Sequence, residues 1–248
     1  RMTRETAAII TVLLLITTNS IGLIYSLLVL KTKLFAKYRI QSKAYKTGIF
    51  SERMPLYLFN FFTLLLFAGL GTYFLYDFFE VSIFSIPVIL FQVIFAFIID
   101  DLYFYFMHRW MHENKFILRK IHSIHHRATT PFPLEYLYGH PLEWIMGMFG
   151  VVLGFGLILL VMPINIYAFW LFGALRNLHE IHIHSDLKLP FISKIPFISE
   201  TRHHDDHHAK LTGNYSSTFI WNNLSFSSLS LLYAIIFFML MIVSSINF

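Results

Sequence analysis

The chain contains no cysteine among its 248 residues. This absence excludes disulfide bonds, thiolate metal sites, haem held by a thiolate, iron–sulfur clusters and thiol nucleophiles. It leaves the redox compartment undetermined. Any metal ion that the chain binds must be held by histidine or carboxylate side chains.

Charged residues are also scarce. Asp, Glu, Lys and Arg make up only 13% of the sequence, whereas 56% of it is hydrophobic and the mean hydropathy is +0.62. A water-soluble domain of this length would need more polar surface, so the composition predicts a membrane protein. Several apolar runs are long enough to cross about 30 Å of hydrocarbon as helices. They cover about 7–30, 56–76, 84–107 and 142–162, with further runs at 164–178 and 224–243.

The runs predict one all-α domain, 1–248, folded as an integral membrane helical bundle of four to six segments. Fixed-period repeats, low-complexity stretches and Gly/Ser linkers that would divide the chain are absent. The first run is long and is not followed by small residues typical of a cleavage site, so we expect it to stay as an anchor.

The predicted spans contain almost no ionisable residues in their inner parts; Asp100 and Asp101 lie at a span end. A membrane metal transporter needs polar groups near the bilayer midplane. A metal transporter or metal-binding protein is therefore an alternative that this distribution disfavours.

The basic residues indicate an orientation. Three stretches, 31–53, 109–127 and 176–210, contain 17 of the 19 Lys and Arg residues, and they fall on one side of a bundle with six crossings. Because basic loops stay in the cytoplasm, we expect these stretches there and both termini outside. The net charge of +5 suits anionic lipid head groups, and without a recognised binding motif it does not indicate nucleic-acid binding.

All 13 histidines lie between His108 and His208, on the predicted cytoplasmic side. They form an H-x-x-x-H motif in "HRWMH" and H-x-x-H-H motifs in "HSIHH" and "HDDHH". On a helix, side chains three or four residues apart share a face, so each motif directs several imidazoles one way. One H-x-x-x-H pair alone is more often solvated polarity, but so many convergent imidazoles exceed the needs of one ion and predict two neighbouring metal ions.

The stretch "DDLYFYFMHRWMHENKFILRKIHSIHHRATTPFPLEYLYGHPLEW" resembles the fatty acid hydroxylase and sterol desaturase superfamily, whose members carry these three motifs around a membrane diiron centre. The similarity is dense over about 100–144 and looser over 178–223. It implies that a cytoplasmic, histidine-rich helical cap holds two iron ions, for which zinc can substitute during purification. The ligands that it implies are His108, His112, His122, His125, His126, His204, His207 and His208.

The middle motif, "LHEIHIHSDLKLP", is less regular. By the same resemblance His184 ranks first as a ligand and His179 second. Other side chains are candidate ligands or acceptors for imidazole N–H groups, which would fix ring orientation. They are His140, His182, His203, Asp101, Glu143, Asp205 and Asp206. His140 is equally well explained as a helix-start residue before Pro141, and Asp205 and Asp206 as surface residues.

The resemblance implies an oxidoreductase that uses dioxygen and external electrons to hydroxylate a C–H bond of a fatty acyl or sterol-like lipid from the bilayer. Desaturation at the same centre is the alternative. Neither a G-x-G-x-x-G fingerprint nor a cysteine cluster is present, so a ferredoxin or cytochrome with its reductase would supply the electrons. The compact chain favours a bacterial inner membrane over the endoplasmic reticulum. After the last motif, Asn214, Tyr215 and Trp221 match the family pattern but Asn222 replaces an aspartate, which leaves the substrate class open.

Overall fold

The computed structural model describes residues 2–82, 85–194, 200–211 and 215–219. Seven helices dominate the described residues. They are α1 (Arg4–Lys31), α2 (Ile49–Phe74), α3 (Ile86–Glu113), α4 (Lys115–Lys120), α5 (Pro141–Leu159), α6 (Ile166–Ile183) and α7 (Thr201–Lys210). Short 3₁₀ helices cover Ala36–Tyr38, Tyr76–Phe78, His122–Arg127, Pro133–Leu137 and Ile192–Lys194, and two-residue strands form β1 (Phe79–Glu80) and β2 (Ile164–Asn165).

The local sequence sets several helix ends. Asn114 ends α3 and accepts hydrogen bonds from the first backbone N–H groups of α4, each at 3.1 Å. Asn165 caps α6 by accepting from Tyr167 and Ala168. These side-chain acceptors satisfy N–H groups that have no partner within the helix.

Among the described residues, α1, α2, α3 and α5 are long and apolar enough to span a membrane. They correspond to the first four predicted runs, which confirms the expected all-α membrane bundle. The run 164–178 forms most of α6, which carries Arg176 and Glu180 and is not among these candidate spans. The predicted run 224–243 lies outside the described residues.

The bundle is arranged as an arc in which α1 packs on α2 and α6, and α3 packs on α5 and α6. Two glycines let α3 and α5 approach closely. A Cβ atom at Gly154 would lie 3.2 Å from the Ala96 Cα atom, and one at Gly150 would lie 2.5 Å from an Asp100 carboxylate oxygen. A larger residue at either position would force these helices apart.

The two ends of the bundle differ in composition. At one end, β1 and β2 pair in parallel, with Phe79 opposite Ile164 and Glu80 opposite Asn165. From this end α3 and α6 run towards the other end, and α5 runs back from it. The histidine motifs lie in or just after the last turns of α3 and α6 and precede α5, so the helix directions bring them together at the opposite end.

Candidate dimetal centre

Five histidines form one group, here called the five-histidine group. Their ligand nitrogens lie within 4.8 Å of one another. The members are His108, His112, His122, His126 and His207. His122 Nε2 lies 2.9 Å from the Nε2 atoms of both His112 and His126, and His207 Nε2 lies 3.1 Å from those of His108 and His112. Four of the five residues are buried, and His112 is partly exposed.

Four further histidines form the four-histidine group, with the same spread of ligand nitrogens. The members are His125, His184, His204 and His208, all of them buried. His204 Nε2 lies 2.9 Å from His184 Nε2 and 3.0 Å from His208 Nε2. His125 Nε2 lies 3.4 Å from His184 Nε2.

Each H-x-x-H-H motif is divided between the two groups. On α7, His204 and His208 share a helix face and point into the four-histidine group, whereas His207 points into the other. In the 3₁₀ helix His122–Arg127, His125 joins the four-histidine group and its two motif partners join the five-histidine group. The two groups are therefore neighbours built from the same short segments.

Backbone carbonyls fix the orientation of three rings. The Nδ1 atom of His108 lies 2.8 Å from the Tyr215 carbonyl oxygen, that of His125 lies 3.1 Å from the Tyr138 carbonyl oxygen, and that of His184 lies 2.8 Å from the Glu180 carbonyl oxygen. A carbonyl oxygen only accepts, so each Nδ1 must donate and each Nε2 atom keeps a free lone pair.

The donor set fits a cation in each group. His125 and His184 direct Nε2 lone pairs at each other across 3.4 Å in a buried setting, an arrangement that is repulsive unless positive charge lies between them. Two imidazole nitrogens bound at about 2.1 Å to one ion lie about 3.0 Å apart when their bonds are at right angles. The observed separations of 2.9–3.4 Å match that spacing.

Burial also keeps these imidazoles uncharged, as metal binding requires. Burial lowers the pKa of His122 to about 3 and that of His125 to about 4. Burial, together with neighbouring imidazoles, lowers the pKa of His126, His204 and His208 well below the ordinary value of 6.5.

The remaining histidine candidates lie outside both groups. His179 Nε2 is 3.0 Å from the Ser217 carbonyl oxygen, and His182 lies between the hydroxyls of Tyr25 and Thr201. His140 caps α5 by accepting from the Leu142 N–H at 3.1 Å, which is the helix-start role considered for it. His203 is exposed on α7.

The acidic candidates divide in the same way. Glu143 lies next to the ligands, with a carboxylate oxygen 3.0 Å from His122 Nδ1. Asp101 accepts from the backbone N–H groups of residues 217–219 at 2.7–2.9 Å. Asp101 therefore holds the segment that presents the Tyr215 carbonyl oxygen to His108.

The other two aspartates have partners outside the histidine groups. Asp205 accepts from Gln41 Nε2 at 2.7 Å, and Asp206 pairs with Lys210 on α7.

Two supporting networks were missed by sequence reasoning. Buried Arg53 donates to Glu135 at 2.8 Å and to the Tyr138 hydroxyl at 2.7 Å, and the Tyr138 carbonyl oxygen faces His125. A second network joins Arg39 and Gln41 to Asp186, which has a left-handed backbone with φ of 57°. The partners lie 82 and about 145 residues apart, so no local spacing signals them.

An apolar cavity of about 570 Å³ extends from the four-histidine group into the bundle. His125, His184 and His204 line one end of it. Leu75, Phe79 and Leu159 line the other end, near β1 and β2. The volume is in the range of small-molecule sites. The cavity follows α5 from Glu143 to Leu159, 17 residues or roughly 24 Å of helix.

A membrane-spanning helical bundle with nine imidazoles in two adjacent groups at one end defines a class, membrane proteins with a candidate histidine dimetal centre. The model of the fatty acid hydroxylase family matches residues 93–228, which is more than half of the chain. The chain belongs to the fatty acid hydroxylase family, as the motifs predicted.

Curated relatives carry two different names within this family. Methylsterol monooxygenase 1 of Danio rerio is 33% identical over 193 residues, 75% of this chain and 65% of that protein. The Rattus norvegicus protein of the same name is 36% identical over 126 residues, 50% of this chain and 41% of that protein. The chain thus spans less than two thirds of these relatives. Very-long-chain aldehyde decarbonylase GL1-11 of Oryza sativa is 32% identical over 90% of this chain and 86% of that protein. None of the solved structures matches this chain.

Proposed function

We propose that the protein is a membrane-bound diiron oxygenase that hydroxylates a C–H bond of a lipid. One observation carries the proposal: nine imidazoles, eight of them buried, converge in two adjacent groups, and an apolar cavity ends at one of these groups. The proposed ligands are the nine members of the two groups. His179, also expected as a ligand, lies outside both groups and is left out of the proposed set. The chain forms one catalytic domain.

Two bound iron ions would supply the activation of dioxygen and the removal of hydrogen from the substrate. In the overall reaction one oxygen atom enters the C–H bond and the other leaves as water, which consumes two electrons and two protons. Desaturation at the same site consumes the same reactants, and zinc is the expected replacement in protein purified without iron.

The protein's own residues hold and orient the reactants. Carbonyl acceptors behind His108, His125 and His184 direct each Nε2 atom to its ion. The cavity walls exclude water from the reacting carbon, which keeps reactive species from side reactions.

The distribution of polar groups along the cavity supports an orientation for the lipid. Glu143, Asn177 and Glu180 line the histidine end, whereas Leu75, Phe78 and Leu159 line the far end. Polar groups fix the polar part of a ligand and apolar walls hold the rest. We therefore infer that the polar end of the lipid lies near the histidines and that the oxidised carbon is close to that end.

The names of the relatives support a lipid substrate. A methylsterol and a very-long-chain aldehyde are both long apolar molecules with one polar end. The orientation inferred from the cavity suits either molecule.

Electrons come from a separate ferredoxin or cytochrome with its reductase. The basic stretches beside the histidine end support a cytoplasmic site. The relatives named above come from Danio rerio, Rattus norvegicus and Oryza sativa and do not support the expected bacterial inner membrane.

The test is product formation from labelled dioxygen. Membranes with the reconstituted protein, iron and a reductant system are incubated with ¹⁸O₂, and extracted lipids are compared by mass spectrometry. One ¹⁸O atom in a lipid hydroxyl is expected, with its loss in His204→Ala. The matched control is His203→Ala, one residue away and exposed, which keeps the product. Unchanged lipids would contradict the oxygenase. If cells that express the protein also show altered iron or zinc content, metal handling would be favoured.

A further inference from the structure

The cavity is closed on three sides by packed helices and is open on a fourth. None of the residues that line it from α1 and α6 is exposed, and Leu15 (8% exposed) and Phe172 (1% exposed) are buried. The exposed α-helical residues that line it all lie on α2 and α5, and Phe67 (58% exposed) and Val152 (65% exposed) are among them. The helices pack in the order α2, α1, α6, α3, α5. Helices α2 and α5 are therefore the two ends of the arc, and the cavity opens between them.

Glycines mark the same opening. Gly71 on α2 and Gly156 on α5 line the cavity and are not buried, and a Cβ atom at either would meet nothing within 4 Å. Gly147 on α5 has the same empty space beside it but is buried. Gly150 and Gly154 on α5 differ, because a Cβ there would collide with α3. On α5, Gly150 and Gly154 therefore permit close packing against α3, whereas Gly147 and Gly156 leave empty space in the cavity.

The opening faces the hydrocarbon, since α2 and α5 are both candidate membrane spans. The edge of the opening nearest the histidines is formed by the Phe67 and Trp144 rings, whose centroids are 6.0 Å apart. A molecule that enters there meets apolar surface until it reaches the histidine end, so an aqueous solute would lose its hydration without compensation. A lipid already in the bilayer loses none.

We propose that the gap between α2 and α5 is a lateral entrance through which a bilayer lipid slides its apolar body into the cavity, with Gly71 and Gly156 keeping the entrance open. The oxidation of the lipid after entry rests on the proposed function, whereas the entry itself does not.

Since the chain has no cysteine, one introduced thiol can be labelled selectively. Gly71→Cys and Gly156→Cys are loaded with metal, then modified with a bulky aromatic thiosulfonate that a thiol reductant removes. The probes are a spin-labelled stearic acid and a spin-labelled cholestane, and their immobilisation is followed by electron paramagnetic resonance. Leu66→Cys and Leu153→Cys are matched controls, because they are exposed on the same helices and do not line the cavity.

Modification at Gly71→Cys or Gly156→Cys should abolish uptake of the probe that the unmodified protein binds, and reduction should restore it, at constant metal content. Modified Leu66→Cys and Leu153→Cys should take up the probe at the unmodified rate. Uptake that continues in both modified glycine variants overturns the entrance, as does failure of both probes to enter unmodified protein. Reversible block of uptake without any lipid oxidation would leave the entrance standing and reject the oxygenase.

Discussion

The two histidine groups are made from the same motifs but have different surroundings. The four-histidine group is entirely buried and forms the end of the apolar cavity, whereas the five-histidine group contains the partly exposed His112 and contributes no residue to the cavity wall. Under the proposed function, an ion in the four-histidine group would face the lipid, and an ion in the five-histidine group would lie closer to the aqueous surface. The two sites are then distinguishable by experiment, although their ligands alternate along the chain.

The largest expected effect is the loss of either ion. His204→Ala removes a ligand of the four-histidine group and His207→Ala one of the five-histidine group. Each variant should lose one metal ion per chain and all lipid oxidation, because the reaction needs both ions. Elemental analysis with product assays checks this. Retained oxidation in either variant would contradict a shared dimetal centre.

Residues that hold the ligands in place should affect the metal affinity of one histidine group and not of the other. Asp101→Asn disturbs the 217–219 segment behind His108, and Arg53→Lys loosens Tyr138 behind His125. Loss of such an outer partner typically lowers metal affinity about 10–100-fold. We expect Asp101→Asn to weaken the five-histidine group alone and Arg53→Lys the four-histidine group alone, as measured by metal titration. Equal weakening of both groups by either variant would show that they act as one unit.

Acid should destabilise the metal-free protein. The folded state holds His122 and His125 with pKa values of about 3 and about 4, whereas the unfolded chain protonates its histidines below about 6.5. Between these values the unfolded state binds more protons, so the free energy of unfolding falls as pH falls, by up to about 1.4 kcal/mol per pH unit for each group. Thermal unfolding in detergent from pH 7 to pH 4.5 measures this. A flat profile would contradict the burial of His122 and His125.

The smallest expected effect is a difference in the rate at which the two histidine groups release metal. A water-soluble chelator reaches the partly exposed His112 before any member of the four-histidine group. Metal release should therefore be biphasic, with the first ion lost from the five-histidine group, and His207→Ala should remove the fast phase. Simultaneous release of both ions would show that exposure of His112 does not govern access.

Sequence patterns predicted much of this arrangement, for physical reasons. Long apolar runs predicted α1, α2, α3 and α5, and the i, i+4 spacing placed His204 and His208 on one face of α7. The spacing could not divide His122, His125 and His126, because they lie in a 3₁₀ helix whose side chains do not follow the α-helical wheel.

Other features depend on contacts between distant residues. Arg53 with Glu135, and Gln41 with Asp186, form only when the helices have assembled. Asp101 was a candidate acceptor for imidazole N–H groups, and no sequence pattern indicated that its carboxylate also accepts from the backbone of residues 217–219. The opening between α2 and α5 likewise follows from which helices pack together, which no local pattern records.

The most direct test of the account is the metal content of the purified protein, with iron and zinc quantified together against the protein concentration. Two metal ions per chain are predicted, one for each histidine group. One ion per chain, or none after incubation with excess ferrous iron, would contradict the dimetal centre.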